Sequence, residues 1–241
     1  MLIRKLLHMH KFLLLWLEAP LQSWGFDSRF GRRSTLDFPT KSGILGLLFS
    51  AMGAGGEQID LLAEFSNLSQ TVLSFHHENA KENPFQLRDF HMVGSNYDKE
   101  DPWAKMHIPK TSDGKNAVGG GAKLTYRYYL QDATFAVCIE IPSALSEIIA
   151  HAVQNPVWEI YLGRKCCAPT DFIYRGVFDT EDEALSVAID IANKKGRKEN
   201  FRVLDGSHPD ADEVFTLNDV PLQFGHDKRY RDRQVSLINA R

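Results

Sequence analysis

Apolar and polar residues follow two different periods along the chain, and these periods predict its elements. A near-continuous apolar run at residues 10–18 is typical of a strand that is buried on both faces. Shorter runs have the composition of strands, and four other stretches repeat apolar residues at helical spacing. The predicted strands after the first lie at residues 71–77, 88–93, 123–131 and 134–141, and the last two are expected to form a hairpin. Helices are predicted at residues 57–68, 143–154 and 180–193 and within residues 38–53, where Thr40 or Ser42 can cap the helix start and Gly53 can end it.

The order of these elements predicts an α+β fold. Strand, helix, strand, strand, insertion, strand, helix and strand follow one another as in a split β-α-β sheet of the ferredoxin-like type. RNA-binding proteins with such a sheet present one face of it to nucleic acid. Residues 94–122 lack an apolar period, which indicates either a functional projection or a disordered segment. The chain beyond residue 201 indicates only short strands and loops.

The helix that follows the first strand has two unusual features. Gly43 and Gly46 share one face, where each glycine costs about 1 kcal/mol relative to alanine. Either a neighbouring strand of the core packs against this face, or a ligand approaches the helix backbone there. The N-terminus of the helix, with Thr40, Lys41 and Ser42, is predicted to bind an anion, because free N–H groups and the helix dipole favour negative charge.

Composition excludes several classes of protein. A chain of 241 residues with 43% hydrophobic residues can bury a large core. The net charge of −3 excludes a global basic field, so any nucleic acid is expected to bind to a local patch. The three cysteines have no C-x-x-C spacing, which argues against zinc and disulfides and favours the cytoplasm. The first apolar run is too short for a membrane span, so we expect no membrane association. Because metal-ligand spacings are also missing, we expect no metal and no cofactor.

Histidine offers one route to catalysis. The sequence contains no phosphate-binding loop with G-K-[ST], no G-x-S-x-G elbow and no H-E-x-x-H motif. A metal-free ribonuclease needs a general base for the 2′-OH and a cation for the phosphorane, and His91, Tyr126 and Lys123 are candidates for these roles. A single histidine on a strand is more often a hydrogen-bonded structural residue, and we favour that interpretation.

Basic residues interleaved with aromatic residues favour RNA binding. Arginine and lysine pair with phosphates, and splayed bases stack on aromatic rings. Cations scattered over a solvated surface explain the same pattern equally well. The pattern comprises Arg29, Arg32, Arg33, Lys41, Lys123, Arg127, Arg164, Lys165, Arg229 and Arg231, beside Trp24, Phe30, Tyr126 and Tyr230.

Five stretches of the sequence resemble a known family. They read LLLWLEAPLQSWG (13–25), FPTKSGILGLLFSAMG (38–53), RDFHMVG (88–94), YYLQDATFAV (128–137) and YLGRKCCAPT (161–170). In this order they are similar to the CasD subunits of Cascade, the type I-E CRISPR effector complex, within the RAMP superfamily. The similarity runs from Met9 to about Arg233 and is densest at P-T-K-S-G-x-x-G-L-L and Y-L-G-R-K-C. Residues 1–8 and 95–122 lie outside it.

The resemblance implies an organisation and a function. It implies an N-terminal extension at residues 1–8, an RRM-like RAMP domain at residues 9–233 with a β-hairpin thumb at residues 95–122 and a decorated C-terminal part, and a tail at residues 234–241. The expected function is a non-catalytic cytoplasmic subunit that caps the 5′ handle of the CRISPR RNA. Its expected partners are the CasC backbone subunit, the CasA large subunit and, in the assembled complex, target DNA.

Two other functions remain open at this point. The first is a metal-independent endoribonuclease that processes CRISPR precursor RNA, and the second is a protein-interaction module without RNA contact. If the protein binds RNA, the residues expected to contact it are Arg29, Arg32, Arg33, Thr40, Lys41, Ser42, Gly43, Gly46, Lys123, Arg127, Gly163, Arg164 and Lys165.

Overall fold

The computed structural model describes residues 10–26, 31–78, 86–93, 100–106, 110–111, 113–115 and 123–240. The expected N-terminal extension at residues 1–8, most of the expected thumb, and Arg29 lie outside the described residues. The described residues form a mixed α+β structure of largely antiparallel sheets, which confirms the predicted fold class.

The elements begin and end close to the positions that the apolar periods predict. The strands are β1 (His10–Glu18), β2 (Leu21–Gln22), β3 (Trp24–Gly25), β4 (Arg32–Arg33), β5 (Thr35–Leu36), β6 (Gln70–His77), β7 (Gln86–Val93), β8 (Lys123–Gln131), β9 (Thr134–Pro142), β10 (Tyr174–Phe178), β11 (Arg197–Asp205), β12 (Glu213–Gln223) and β13 (Arg229–Asn239). The helices are α1 (Lys41–Met52), α2 (Ile59–Phe65), α3 (Pro102–Met106), α4 (Ser146–Gln154) and α5 (Glu181–Lys194), and a 3-10 turn at Ser143–Leu145 precedes α4.

A seven-stranded sheet forms the centre of the molecule. Its strand order is β10-β1-β9-β6-β11-β13-β12, and the paired neighbours are antiparallel. In the chain, β1, α1, β6, β9, α4 and β10 follow one another as strand, helix, strand, strand, helix and strand. This connectivity is the split β-α-β arrangement that the sequence predicts.

Helices cover the central sheet on both faces. One face carries Leu13, Leu15 and Leu17 of β1 and packs against α1, α2 and α4. The other face carries Leu14 and Trp16 and packs against the alanines of α5. Because alternate residues of a strand point to opposite faces, both sets of β1 side chains are buried, which explains its unbroken apolar run.

A second, smaller sheet is built around β8. Strands β7 and β8 pair antiparallel from Gln86 with Leu130 to Val93 with Lys123, so a β-hairpin flanks the expected thumb insertion. Strands β2 and β4 also pair with β8. Within the insertion, the structure describes α3 and a short turn in which the Thr111 N–H bonds the Lys115 carbonyl at 2.7 Å.

The C-terminal part differs from the prediction. Strands β11, β12 and β13 contain 9, 11 and 11 residues and extend the central sheet, so they are not short strands and loops. Residues 234–239, expected to form a tail, belong to β13, and Val235 and Ser236 are fully buried. The tail prediction was wrong because residues 235–239 pair with β11 and residues 234–237 also pair with β12, so this segment is an interior strand of the sheet.

Candidate functional site

An open groove of about 460 Å³ runs beside the N-terminal half of α1. Segments that are distant in the sequence form its walls: the β2–β3 region, the start of α1, the turn after Leu162, and the turn between β12 and β13. Among the lining residues Lys228 carries a positive charge, and none of them carries a carboxylate. The groove is lined by Ser23, Trp24, Gly25, Thr40, Ser42, Gly43, Gly46, Gly163, Phe224, Lys228 and Tyr230.

One wall of the groove is the indole of Trp24, which is held by buried hydrogen bonds. Its Nε1 donates to Gln22 Oε1 at 3.2 Å, while Gln22 Nε2 donates to the carbonyls of Leu17 and Ala133. A Cβ at position 43 would lie 2.9 Å from the Trp24 ring, so Gly43 admits this side chain against α1. The first of our two interpretations, a close neighbour within the core, is therefore correct for Gly43.

Gly46, one turn further along α1, has different surroundings. A Cβ at this position would have no heavy atom within 4 Å, and the residue lines the groove. The open backbone here matches the second interpretation, in which a ligand approaches the helix. The two glycines therefore share one face of the helix but have different surroundings.

Gly163 joins the groove to the segment that follows Leu162. Its φ is +98°, and a Cβ would lie 1.8 Å from the Ser23 carbonyl oxygen, so this position requires glycine. The Ser23 N–H bonds the Leu162 carbonyl at 3.1 Å, and Ser23 Oγ donates to the Tyr128 carbonyl at 3.1 Å. Ser23 thereby ties the groove to strand β8.

Arg164 follows Gly163 and connects the groove to a group of basic side chains. Its Nη1 donates to the Tyr128 carbonyl at 3.2 Å, its Nη2 donates to the Arg33 carbonyl at 2.9 Å, and its guanidinium lies 4.6 Å from the Tyr129 ring centroid. Arg164 therefore links the backbone at Tyr128 to that at Arg33, in addition to contributing a positive charge to this region. We call Arg32, Arg33, Arg127, Arg164 and Lys165, the cations of this region, the basic surface. The strand register places Arg32 on the face that carries Tyr126 and Tyr128, and Arg33 and Arg127 on the other face.

The aromatic residues next to the basic surface lie on one face of the β7–β8 hairpin. Residues directly opposite in an antiparallel pair share a face, and Phe90 is opposite Tyr126 at a centroid distance of 5.5 Å. The guanidinium of Arg88 lies 5.8 Å from the Tyr126 ring, and that of Arg32 lies 5.0 Å from the Tyr128 ring. Of the predicted basic and aromatic residues, Arg32 and Tyr126 take part in these contacts, while their partners Tyr128 and Arg88 were not among those predicted.

Lys41 does not belong to the groove or to the basic surface. It is 2% exposed, its Nζ donates to the Leu68 carbonyl, and burial lowers its pKa while Asp205 opposes that shift. Its backbone N–H donates to Asp219 Oδ2 at 2.8 Å, and the Gly43 N–H donates to Thr40 Oγ1 at 3.1 Å. The prediction of a free anion site with Lys41 as an RNA contact was wrong, because a carboxylate of the chain already occupies this helix end.

Arg233 completes this interior ion network. Its Nε and Nη2 donate to the two oxygens of Asp219 at 2.7 and 2.9 Å, and its Nη1 donates to Asp205. Burial lowers the pKa of Arg233, but the hydrogen bonds and charges of Asp219 and Asp205 outweigh burial and raise it. We call Lys41, Asp205, Asp219 and Arg233 the buried ion cluster; it fastens the start of α1 to the C-terminal strands.

The three candidate catalytic residues do not form one site. His91 is opposite Thr125 and Tyr126 is opposite Phe90, so His91 and Tyr126 point to opposite faces of the hairpin. His91 Nδ1 lies 3.6 Å from Asp89 Oδ2, which is a structural neighbour on its own strand. Lys123 begins β8, and its side chain lies outside the described part of the chain.

The chain matches a family of known proteins over most of its length. A family model described as CRISPR-associated protein (Cas_Cas5) matches residues 12–236. The chain belongs to this family. It is 28% identical over 180 residues to the CRISPR system Cascade subunit CasD of Escherichia coli (strain K12), covering 72% of this chain and 74% of that protein. The predicted resemblance to CasD subunits is confirmed.

Solved structures agree with this membership. A chain of a CRISPR RNA-guided surveillance complex superposes with a TM-score of 0.67 at 28% identity, covering 95% of this chain and 90% of that one. A second solved structure, described as the crystal structure of a Cas protein, superposes with a TM-score of 0.56 at 25% identity, covering 95% and 94%. The fold is thus shared with CRISPR-associated proteins over nearly the whole chain.

Several residues that were predicted from the sequence lie in this candidate site. Thr40, Ser42, Gly43, Gly46 and Gly163 line the groove, and the five cations form the adjoining basic surface. The sequence prediction missed the groove residues Ser23, Gly25, Phe224 and Lys228, and it included Trp24 and Tyr230 only as aromatic neighbours. The segment KRYRDR at residues 228–233 gave the available signal: Lys228 and Tyr230 line the groove, Arg233 belongs to the buried ion cluster, and the other three residues are exposed.

The described residues contain no group of three or more His, Cys, Asp or Glu side chains arranged to hold a metal ion. None of their helices is both long enough and apolar enough to cross a membrane.

Proposed function

We propose that this protein is a non-catalytic, RNA-binding subunit of a type I-E Cascade complex that caps the 5′ handle of the CRISPR RNA. One observation carries the proposal: the groove beside α1 and the basic surface meet at Ser23 and Gly163, in a chain of the Cas_Cas5 family. An apolar wall with an open helix backbone suits a base and its sugar, and adjoining arginines suit phosphates.

The electrostatics of the two regions support this division of roles. The groove is lined without carboxylates, so nothing in its lining repels a phosphate chain. Arg32 lies over Tyr128 and leaves its exposed guanidinium available beside the ring. Single-stranded RNA is bound by such pairs of cation and aromatic ring. In the assembly we expect the CasC backbone subunit and the CasA large subunit to share the RNA in the cytoplasm, and target DNA to pair with it.

Gly46 gives the most direct test of the groove. Because its Cβ position is open, Gly46→Ala should fold and gain up to about 1 kcal/mol of helix stability. Gly46→Leu should also fold but should fill the groove, so that affinity for an RNA oligonucleotide of the handle sequence falls at least tenfold. Equal RNA affinity of wild type, Gly46→Ala and Gly46→Leu would remove the groove from the proposal.

The endoribonuclease alternative has a separate readout. The hairpin register separates His91 from Tyr126, which favours a protein that binds RNA without cleaving it. Incubation of the purified protein with repeat RNA in the presence of EDTA should leave the RNA intact. Cleavage at one bond, abolished in His91→Ala, would replace our proposal by the alternative.

A further inference from the structure

A second surface of the molecule has the opposite character to the basic surface. It is a shallow groove of about 460 Å³ between the end of α1 and helix α4, lined by Met52, Glu147, Ile148, His151, Asn155 and Val157 among others. We call it the α4 groove. Ile148 and Val157 are 55% and 65% exposed, and the neighbouring Trp158 is 49% exposed. Contiguous exposed apolar side chains of this kind mark interaction sites.

The apolar residues after α4 are held in fixed positions. The Val157 N–H bonds the Ala51 carbonyl at 2.9 Å. A Cβ at Gly53 would lie 2.9 Å from Val157 Cγ1, and one at Gly55 would lie 3.0 Å from the Trp158 ring, so both side chains rest on the glycines that end α1. The chain therefore holds two large apolar side chains against the helix end with their outer surfaces in solvent. Such pre-organisation lowers the entropy cost of binding a partner.

Charge decides which class of partner fits the α4 groove. Residues 42–78 and 132–163, which include α4 and all of α1 after its buried first residue Lys41, contain no lysine or arginine. Glu147 lines the groove, and Glu159 follows Trp158. An RNA backbone would meet carboxylates here without a compensating cation. A protein segment with apolar side chains flanked by lysine or arginine would match both the apolar surface and its charge.

We propose that the α4 groove docks another protein subunit of the surveillance complex, through an apolar segment with flanking basic residues. The proposal rests on the proposed function only in assuming that the chain works within such a complex. It divides the molecule into an RNA side at the basic surface and a protein side at α4. Each side can therefore be disabled separately.

The first test is reconstitution of the complex from this protein, its cognate subunits and CRISPR RNA. Ile148→Lys and Trp158→Ser should each weaken assembly about tenfold or more, because an anchor is lost and, for lysine, a like charge faces the partner. Phe172→Ser is the matched control: Phe172 is 83% exposed and lies on a different segment, so assembly should change less than twofold. Unchanged assembly in Ile148→Lys and Trp158→Ser would overturn the proposal.

The isolated variants distinguish this proposal from the proposed function. Affinity for the handle RNA should be the same in wild type, Ile148→Lys, Trp158→Ser and Phe172→Ser, because these residues are not part of the RNA side. If Ile148→Lys and Trp158→Ser lost enough RNA affinity to explain their assembly defects, the proposed docking site at the α4 groove would be overturned. Failure of wild type to bind the handle, with the assembly defects retained, would instead count against the proposed function alone.

Photo-crosslinking identifies the occupant. With p-benzoylphenylalanine in place of His151, irradiation of the complex should link this protein to a partner subunit at a peptide that contains lysine or arginine. A cross-link to a second copy of this chain, or to residues 1–9 of the same chain, would overturn the proposal in favour of those occupants. Absence of any cross-link in a fully assembled complex would also overturn it.

Discussion

The buried ion cluster and the basic surface are built from the same residue types and differ in what surrounds them. Arg233 has 10% side-chain exposure and places its guanidinium between two carboxylates. Arg32 and Lys165 are exposed, and Arg32 rests on the face of an aromatic ring. A buried cation that loses its counterions is costly, whereas an exposed cation can exchange water for a phosphate at little cost. Position in the fold therefore decides whether a cation stabilises the chain or remains available to bind a ligand at the surface.

A third group lies between these extremes. Glu18 accepts hydrogen bonds from Trp16 Nε1 at 2.9 Å, Lys195 Nζ at 2.9 Å and Arg197 Nη2 at 2.7 Å. Burial raises the pKa of Glu18, but these donors outweigh burial and lower it from 4.5 to about 2. Partial exposure makes this cluster weaker than the buried one. The comparison thus predicts a graded series of effects on stability.

Arg233→Met should have the largest effect. It removes the guanidinium that pairs with both Asp205 and Asp219 and leaves Lys41 as the one cation of the buried ion cluster, which is expected to cost about 3–5 kcal/mol of unfolding free energy. Urea unfolding measures the loss. Arg229→Met on the same strand is the control, because Arg229 is exposed and should change stability by less than about 0.5 kcal/mol. Equal stability of the two variants would contradict the comparison.

Lys41→Ala should have the next largest effect. The substitution deletes a buried side chain and the donor to the Leu68 carbonyl, at an expected cost of about 2–4 kcal/mol. The folded fraction should retain the handle-RNA affinity of wild type, since Lys41 does not reach the groove. Unchanged stability with weakened RNA binding would restore Lys41 as an RNA contact.

Glu18→Gln should have an intermediate effect that depends on pH. Because the folded-state pKa lies below 4.5, ionised Glu18 stabilises the fold above about pH 4.5, and this contribution is lost as the pH falls towards 2. After allowance for solvent screening we expect about 1–2 kcal/mol at pH 7. Unfolding free energies of wild type and variant, measured between pH 7 and pH 3, should converge at low pH. The exposed control Glu64→Gln should change the unfolding free energy by less than about 0.5 kcal/mol.

The sequence alone predicted the secondary-structure elements that depend on local residue patterns. The apolar run of β1, the extent of α1 with its Thr40 cap, and the β8–β9 hairpin follow from periods and turn residues. The glycines of α1 were recognised as special because glycine is costly within a helix, whereas the need for glycine at position 163 emerged only from the structure. Their meeting at one groove follows from the split β-α-β connectivity.

Pairings between distant residues could not be predicted from local pattern. Asp219, which occupies the N-terminus of α1, is 178 residues from Lys41 in the chain. No local signal marks Lys41 as buried, since lysine is usually exposed. The separation of His91 from Tyr126 depends on the β7–β8 register, because a shift by one residue reverses the faces. Long-range register and charge pairing account for each wrong prediction.

The central claim is that exposed cations of the basic surface bind the phosphates of the handle while the buried ion cluster does not. The most direct test is a salt titration of handle-RNA affinity for wild type and for Arg32→Ala combined with Lys165→Ala. Each lost phosphate contact should lower the slope of log affinity against log salt concentration by roughly 0.7. We predict a lowered slope, weaker binding at low salt and an unchanged thermal melt. Coincident titrations for wild type and the double variant would contradict the claim.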